Sequence, residues 1–430
     1  MIIKPQDNIR ALLRDVEIPK MLRIKQKFEN RFIENVAEHL NARLYTPSIQ
    51  ERITPGMRVV LTGGSREISN MSLILREVAT FIKLQGAIPY IIPAMGSHGG
   101  SIAENQREIL EGFGITEEYC GCAIYSSMDT VIIGHTDEGV PVHIDRFAAG
   151  CDAIIPINRI KAHTAFRGSY ESGLYKMLGI GLGKQKGADA IHSAGFGVFK
   201  ERIPAYAHVV IEKHNVPFGV AIVENAYDQT CIAEVILGEE IGAREPVLLD
   251  YAKSCMPRIM FPETDVLIVR EIGKNYSGSG MDPNVTGTWT TPYASGGIKK
   301  QKTVVLDLTD KSHGNAMGLG KADVTTMRVF NKIDFTATYP NVITSTVIEP
   351  SKIAMVLEDD KMAIQAAIKT CTGVTPETIR VVMIKNTLQL DEIYISTSML
   401  SEAVEMAEVE LLEKPHELHF DSLGNLLEFL

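Results

Sequence analysis

The sequence is poor in aromatic residues, at 7% with one tryptophan, and poor in cysteine, with six in 430 residues. Those six (Cys120, Cys122, Cys151, Cys231, Cys255, Cys371) are scattered, so no disulfide framework is expected and a reducing cytoplasm fits. Cys120 and Cys122 form a CxC pair, but no second pair stands at ligand spacing, which argues against a zinc knot. No window of about 18 uncharged apolar residues occurs, so no membrane-spanning helix is expected. Residues 1–15 lack the basic-then-apolar pattern of a leader. Basic residues are the minority, 43 against 53 acidic ones, for a net charge of −10. A chain of that balance is unsuited to a nucleic-acid partner. The one short basic cluster, residues 299–302, reads as a solvated loop. Internal repeats and low-complexity tails are missing as well.

What is present is an alternation of short β-rich runs with longer amphipathic ones, the pattern of an α/β protein with mainly parallel sheets. A chain of 430 residues exceeds one ordinary core. Two α/β domains are expected, residues 1–260 as the catalytic domain and 261–430 as the C-terminal one, with the active site at the cleft between them. Strands are predicted at 58–62, 88–92, 130–133, 152–157, 218–223, 265–269, 303–306 and 380–384. Helices are predicted at 69–84, from Ser101 as a cap, near 352–355, at 361–369 and finally from Ser401. A glycine, serine and threonine-rich stretch, residues 274–297, is too long and polar for a simple connection and reads as functional or mobile.

Three segments carry residues suited to chemistry. Gly63-Gly64-Ser65-Arg66 follows a predicted strand, where free N–H groups and a guanidinium suit an anion. It matches neither the Walker loop nor the dinucleotide fingerprint. Gly96-Ser97-His98-Gly99-Gly100 places an imidazole among glycines at the next strand end, where ligands collect in open α/β sheets. From Arg159 to His192 the chain carries six Lys or Arg, two His and six Gly. A core segment does not look like this, because buried cations need partners. His98, His163 and His192 together leave a zinc hydrolase open. HExxH is missing, however, and only Asp189 stands at helical spacing from any of them. An enzyme using a freely bound nucleotide and a non-catalytic anion binder also remain open.

The constellation resembles the nickel-dependent lactate racemase family, which racemises or epimerises 2-hydroxy acids. That family has a glycine-flanked histidine after an early strand, then a histidine before a glycine-rich stretch ending in lysine. A third histidine follows 16 positions later. Here these are His98, His163, Lys176 and His192, with 192 − 176 = 16. Asp282-Pro283-Asn284 is similar to a family Asp-x-Asn element, so the resemblance runs over most of the chain. It implies that Lys176 is joined through a thioamide to pyridinium-3,5-bisthiocarboxylic acid mononucleotide, the nickel-pincer nucleotide. Gly168 and Ser169 would contact this cofactor, and His192 would ligate the nickel. It implies further that hydride passes reversibly to the cofactor, that His98 and His163 serve as the two acid–base groups, and that Arg66 grips the substrate carboxylate. Expected partners are a small 2-hydroxy acid and the enzymes that make the cofactor and insert nickel, with no nucleic acid and no membrane.

Three departures point away from lactate as the substrate. Gly63 stands where the family carries an acidic residue. The interval 176 − 163 = 13 is about three positions longer than in the lactate enzymes. Residues 285–289, Val-Thr-Gly-Thr-Trp, lack the family's substrate-binding Tyr and Lys.

Overall fold

The computed structural model describes residues 6–429. Its chain divides into two compact units, Asn30–Met256 and a second one made of Met1–Glu29 with Pro257–Leu430. The expectation that the first domain starts at residue 1 is therefore corrected. Strand β1 (Met21–Gln26) pairs antiparallel with β16 (Glu392–Ser396) and β17 (Val409–Leu411). Its alternate residues Leu22 and Ile24 are fully buried in one core of that second unit, and Met21, of the opposite parity, is buried in another.

In the unit Asn30–Met256, β2 (Arg58–Gly63), β3 (Ile88–Pro93), β4 (Ala123–Ile124) and β7 (Ala153–Ile155) form an all-parallel four-stranded sheet in the order β4-β3-β2-β7. β8 (Ile157–Arg159) runs parallel to β9 (Phe218–Glu224), which pairs antiparallel with β10 (Thr230–Leu237). β5 (Thr130–His135) and β6 (Pro141–Asp145) make a separate hairpin. The single strand expected at 152–157 is thus two. Pro156 has no N–H for a ladder, and the chain changes sheets there, with Thr62 Oγ accepting from the Ile157 N–H at 2.9 Å.

The helix Met71–Leu84 shows why this unit folds. Met71, Ile74, Leu75, Val78, Phe81 and Ile82 recur at three- and four-residue spacing and are buried. They join Val59, Leu61, Ile91 and Ile155 in one core, each large side chain contributing about 1.5–3 kcal/mol. The helix expected to start at Ser101 begins at Ala103, with Ile102 before it. Ser101 cannot cap it because it sits at φ 60°.

The second unit is an eight-stranded sheet, β14-β13-β12-β11-β15-β16-β1-β17. β11 (Val266–Val269), β12 (Lys302–Val305), β13 (Val324–Thr326), β14 (Met355–Leu357) and β15 (Val381–Ile384) are mutually parallel. Residues 352–355 lead into β14 instead of forming a helix, and the last helix, Leu400–Glu405, is followed by β17. Lys300 departs from the solvated-loop reading, since its ammonium donates to the Thr286 carbonyl. Burial pushes it down to about 8. Asp282 caps the turn Pro283–Thr286 by accepting from the Asn284 N–H at 2.9 Å. Among the described residues no helix is long and apolar enough to cross a membrane.

Candidate active site

Arg66, His98 and His163 lie just beyond the carboxyl ends of β2, β3 and β8, where parallel strands leave N–H groups and loops free to meet a ligand. Arg66 donates to its neighbour, the Ser65 carbonyl, and one guanidinium nitrogen lies 3.4 Å from His98 Nε2. No carboxylate is hydrogen-bonded or ion-paired to it among the described residues. Burial, with the nearby charge of Arg159, pushes Arg66 down to about 10.

His98 is less loosely held than its glycine neighbours suggest. Its Nδ1 lies 2.6 Å from the Met95 carbonyl. A carbonyl only accepts, so the proton sits on Nδ1 and the Nε2 lone pair faces Arg66. The loop is fastened by Gln106, fully buried, whose amide donates to the Gly96 and His98 carbonyls at 3.0 and 2.9 Å. Gly96, Gly99 and Gly100 take positive φ of 58°, 66° and 65°, a conformation that favours glycine.

His163 opens a loop organised by Glu171, a buried carboxylate that accepts from the His163 N–H at 2.7 Å and the Gly168 N–H at 3.3 Å. Arg167 and Lys253 neutralise it at 3.3 and 2.9 Å. The His163 ring accepts at Nδ1 from the Ala165 N–H at 3.1 Å, so its proton in the neutral form is on Nε2, the opposite tautomer to His98. Gly168 is bound to Glu171 and sits against Lys200, where an added Cβ would come within 2.9 Å of the Lys200 Cβ. Ser169 is exposed. Both belong to the His163 loop, although no hydrogen bond joins either of them to Lys176 or His192 among the described residues.

Lys176 ends a short helical turn, Leu174–Lys176, that runs directly into a π-helix, Met177–Gly181. Wide helical turns of this kind recur at functional sites. Its amine makes no hydrogen bond or ion pair among the described residues, and burial beside Arg66 pushes it down to about 8. Gly181 and Gly183 allow close packing. A Cβ on Gly181 would sit 2.6 Å from the Ala94 carbonyl, and one on Gly183 would sit 2.8 Å from the Gly187 Cα. Behind them Lys184, fully buried, pairs with Asp145 at 3.1 Å and donates to the Pro93 carbonyl, which ties this segment to the end of β3. Removing one partner of such a buried pair costs about 3–5 kcal/mol.

His192 closes the helix Lys184–His192. Its Nδ1 is buried with no hydrogen-bond partner, an expensive state for a polar atom unless a ligand completes it. Burial, with the charge of Lys176, holds its pKa down to about 4. Burial also holds His163 well below its usual value, and Lys176, His192 and Arg167 push the same way. The Phe196 ring is common to both histidines, with centroid distances of 6.0 Å to His163 and 5.3 Å to His192. Arg66, His98, His163, Lys176 and His192 are thus linked by contact or by mutual charge. They form a basic cluster in which neither Arg66 nor Lys176 has a carboxylate bonded to it among the described residues.

Gln106, Glu171 and Glu245 were not singled out from the sequence. Glu171 had a signal, being the only carboxylate between Arg159 and Lys184. Glu245 is buried and accepts from the Tyr175 N–H at 3.0 Å, at the start of the Lys176 turn. An added Cβ on Gly173 would meet Glu245 Oε1 at 2.2 Å, so only glycine lets it approach. Burial pushes Glu245 up to about 7, opposed by the N–H groups of Tyr175 and Leu174. A carboxyl group raised above its ordinary 4.5 contributes its full stability below that value and loses it as pH rises through about 7. Glu245→Gln is therefore expected to flatten the fall in melting temperature between about pH 4.5 and 7, an effect on the order of 3 kcal/mol. Parallel melts of the two proteins across that range check this.

Glycine turns at parallel strand ends, a cationic cluster and half-buried histidines thus meet in one α/β unit. Residues 6–202 match the family model of the lactate racemase N-terminal domain. Residues 6–202 therefore carry a domain of the lactate racemase family. Among solved structures, a Thermotoga maritima protein from structural genomics is 15% identical at a TM-score of 0.48, over 64% of this chain and 70% of its own. The lactate racemase apoprotein from Thermoanaerobacterium thermosaccharolyticum is 13% identical at a TM-score of 0.48, over 91% of this chain and 96% of its own. No curated protein matches.

Proposed function

We propose that this protein is a cytoplasmic isomerase, a racemase or epimerase of a 2-hydroxy acid other than lactate, working with a nickel-pincer nucleotide tethered to Lys176. The observation that carries the reading is the pairing of an unpartnered, depressed amine at Lys176 with an orphaned buried nitrogen at His192. The residues fit the group. An imidazole is a good nickel ligand beside two sulfurs, and an amine depressed to about 8 is partly neutral and nucleophilic at neutral pH. When bound, such a cofactor supplies a hydride acceptor, which suits an α-hydrogen that is not acidic beside an ionised carboxylate.

The chain's own residues do the rest. Arg66 takes the substrate carboxylate through its forked N–H groups. His98 receives the hydroxyl proton at Nε2, since Nδ1 is occupied by its own proton against Met95. His163, with its proton on Nε2, carries the second proton transfer. Gln106 and Glu171 hold the backbone of these two histidines in place.

The test is to produce the protein with and without the cofactor-synthesis and nickel-insertion enzymes, and to measure nickel, intact mass and chiral conversion over a panel of 2-hydroxy acids. Expected are one nickel per chain and conversion only in the matured protein. His192→Ala is expected to lose the metal while the cofactor-free protein keeps its melting temperature. Stoichiometric nickel in that variant overturns the ligand assignment, and inactivity of nickel-loaded wild type on every 2-hydroxy acid overturns the reaction.

A further inference from the structure

The C-terminal segment of the second unit gathers donor atoms that the racemase reading leaves unused. Met21 and His416 exchange backbone hydrogen bonds at 2.8 Å each, which seats His416 against β1. Three residues on, the His419 ring stacks on it with centroids 5.1 Å apart. Phe420 and Leu426 pair across a tight reversal, which brings Glu428 back beside the two rings. Glu428 Oε1 accepts from the His419 N–H at 2.8 Å and faces His419 Nδ1 at 2.9 Å. Glu428 Oε2 is buried with no hydrogen-bond partner, and the side chain is only 5% exposed. Donor atoms of His416, His419 and Glu428 lie within 4.8 Å of one another.

We propose that His416, His419 and Glu428 form a second metal site, taking a divalent ion of the zinc class and independent of the site at His192. His416 Nδ1 lies 2.8 Å from the Glu417 carbonyl, which only accepts, so the proton is on Nδ1 and Nε2 presents a lone pair. A backbone carbonyl orienting the ring from its far nitrogen is the usual support for a metal-binding histidine. That Nε2 faces Glu413 Oε1 at 2.8 Å, another acceptor. A neutral imidazole cannot serve two acceptors, so either a second proton or a metal ion occupies this pair. Two imidazoles and a carboxylate suit zinc, whereas calcium and magnesium prefer oxygen alone. The His419 side chain is 68% exposed, which leaves an entry path and room for water as a further ligand. A bound ion would fasten the segment 416–428 to β1 and stabilise the second unit by mass action.

The test uses the full chain, made without cofactor-synthesis enzymes, stripped with chelator and titrated with zinc by calorimetry, with melting curves alongside. Expected are one site per chain that His192→Ala leaves intact and a melting temperature that rises with zinc. His419→Ala and Glu428→Gln should each weaken binding by about 10–100-fold or more. His419 is exposed, and glutamine at 428 keeps an acceptor for the His419 N–H, so both variants are expected to fold. The proposal is overturned by absence of saturable zinc binding, by binding unchanged in both variants, or by binding lost only in His192→Ala. It is equally overturned if a proton alone fills the His416–Glu413 pair, seen as stability that falls with rising pH and ignores zinc.

Discussion

Lys176→Ala is expected to remove the added mass from the peptide spanning residues 174–184 and to lower turnover to background, a loss of at least about 10⁶-fold if the tethered group is the hydride acceptor. The physical basis is local. Lys176 stands where the Leu174–Lys176 turn meets the π-helix, held at its start by Glu245 and at its far end by the Lys184–Asp145 pair. An amine so fixed, without a carboxylate partner and near the Arg66 charge, is costly to keep protonated, and attachment removes the charge. Lys176→Arg separates tether from charge, because it keeps the cation and cannot be acylated. It is expected to be as inactive as the alanine variant. Attachment should also quicken as pH rises through about 8, because the neutral amine is the nucleophile. Full activity in a protein whose Lys176 is unmodified defeats the assignment.

The residues that matter here differ in how far the sequence exposes them. His98 stands out because a titratable side chain among glycines after an apolar run has few structural explanations, whereas Lys176 and His192 are picked out by their 16-position spacing and the resemblance it carries. The strands at 58–63 and 88–93 are legible because an unbroken apolar run has one reading when a glycine turn and an amphipathic helix follow it. β1 was not, because its alternation is short and its partners, β16 and β17, lie more than 360 residues away in sequence; local pattern carries no record of such pairing. The split of 152–157 into two strands was recoverable from Pro156 alone, since proline donates nothing to a ladder. Gln106 and Glu245 were hidden for another reason. Each is a polar residue on a helix, Ala103–Gly112 and Ile241–Cys255, and sequence gives such a residue the solvent face by default. Only the backbone groups of Gly96, His98 and Tyr175, brought to them by the fold, make their burial affordable.

Replacing the two histidines is expected to have opposite consequences for the two enantiomers of the substrate. On the proposed mechanism Arg66 fixes the carboxylate, and a flat 2-keto acid offers two faces, each presenting its oxygen to a different ring. In His98→Ala, hydride release from one enantiomer should fall by about 10²–10⁴-fold, and in His163→Ala release from the other should fall by as much. Net racemisation stops in both. Stopped-flow absorbance of the cofactor with each pure enantiomer reads the half-reactions separately. The tautomers sharpen the expectation. His98 Nε2 is ready to accept a proton, because Nδ1 is already protonated against the Met95 carbonyl. His163 Nδ1 accepts from the Ala165 N–H, so this ring must give up that bond before Nε2 can act as a base, and burial opposes its protonation. In the wild-type enzyme the half-reaction served by His163 is therefore expected to be the slower one. Steady-state kcat/KM must still agree for the two directions of a racemisation, whose equilibrium constant is one, so only the pre-steady-state traces reveal the asymmetry. Equal loss on both enantiomers in His98→Ala, with none in His163→Ala, would leave His98 as the single proton carrier and His163 as a part of the loop that Glu171 holds.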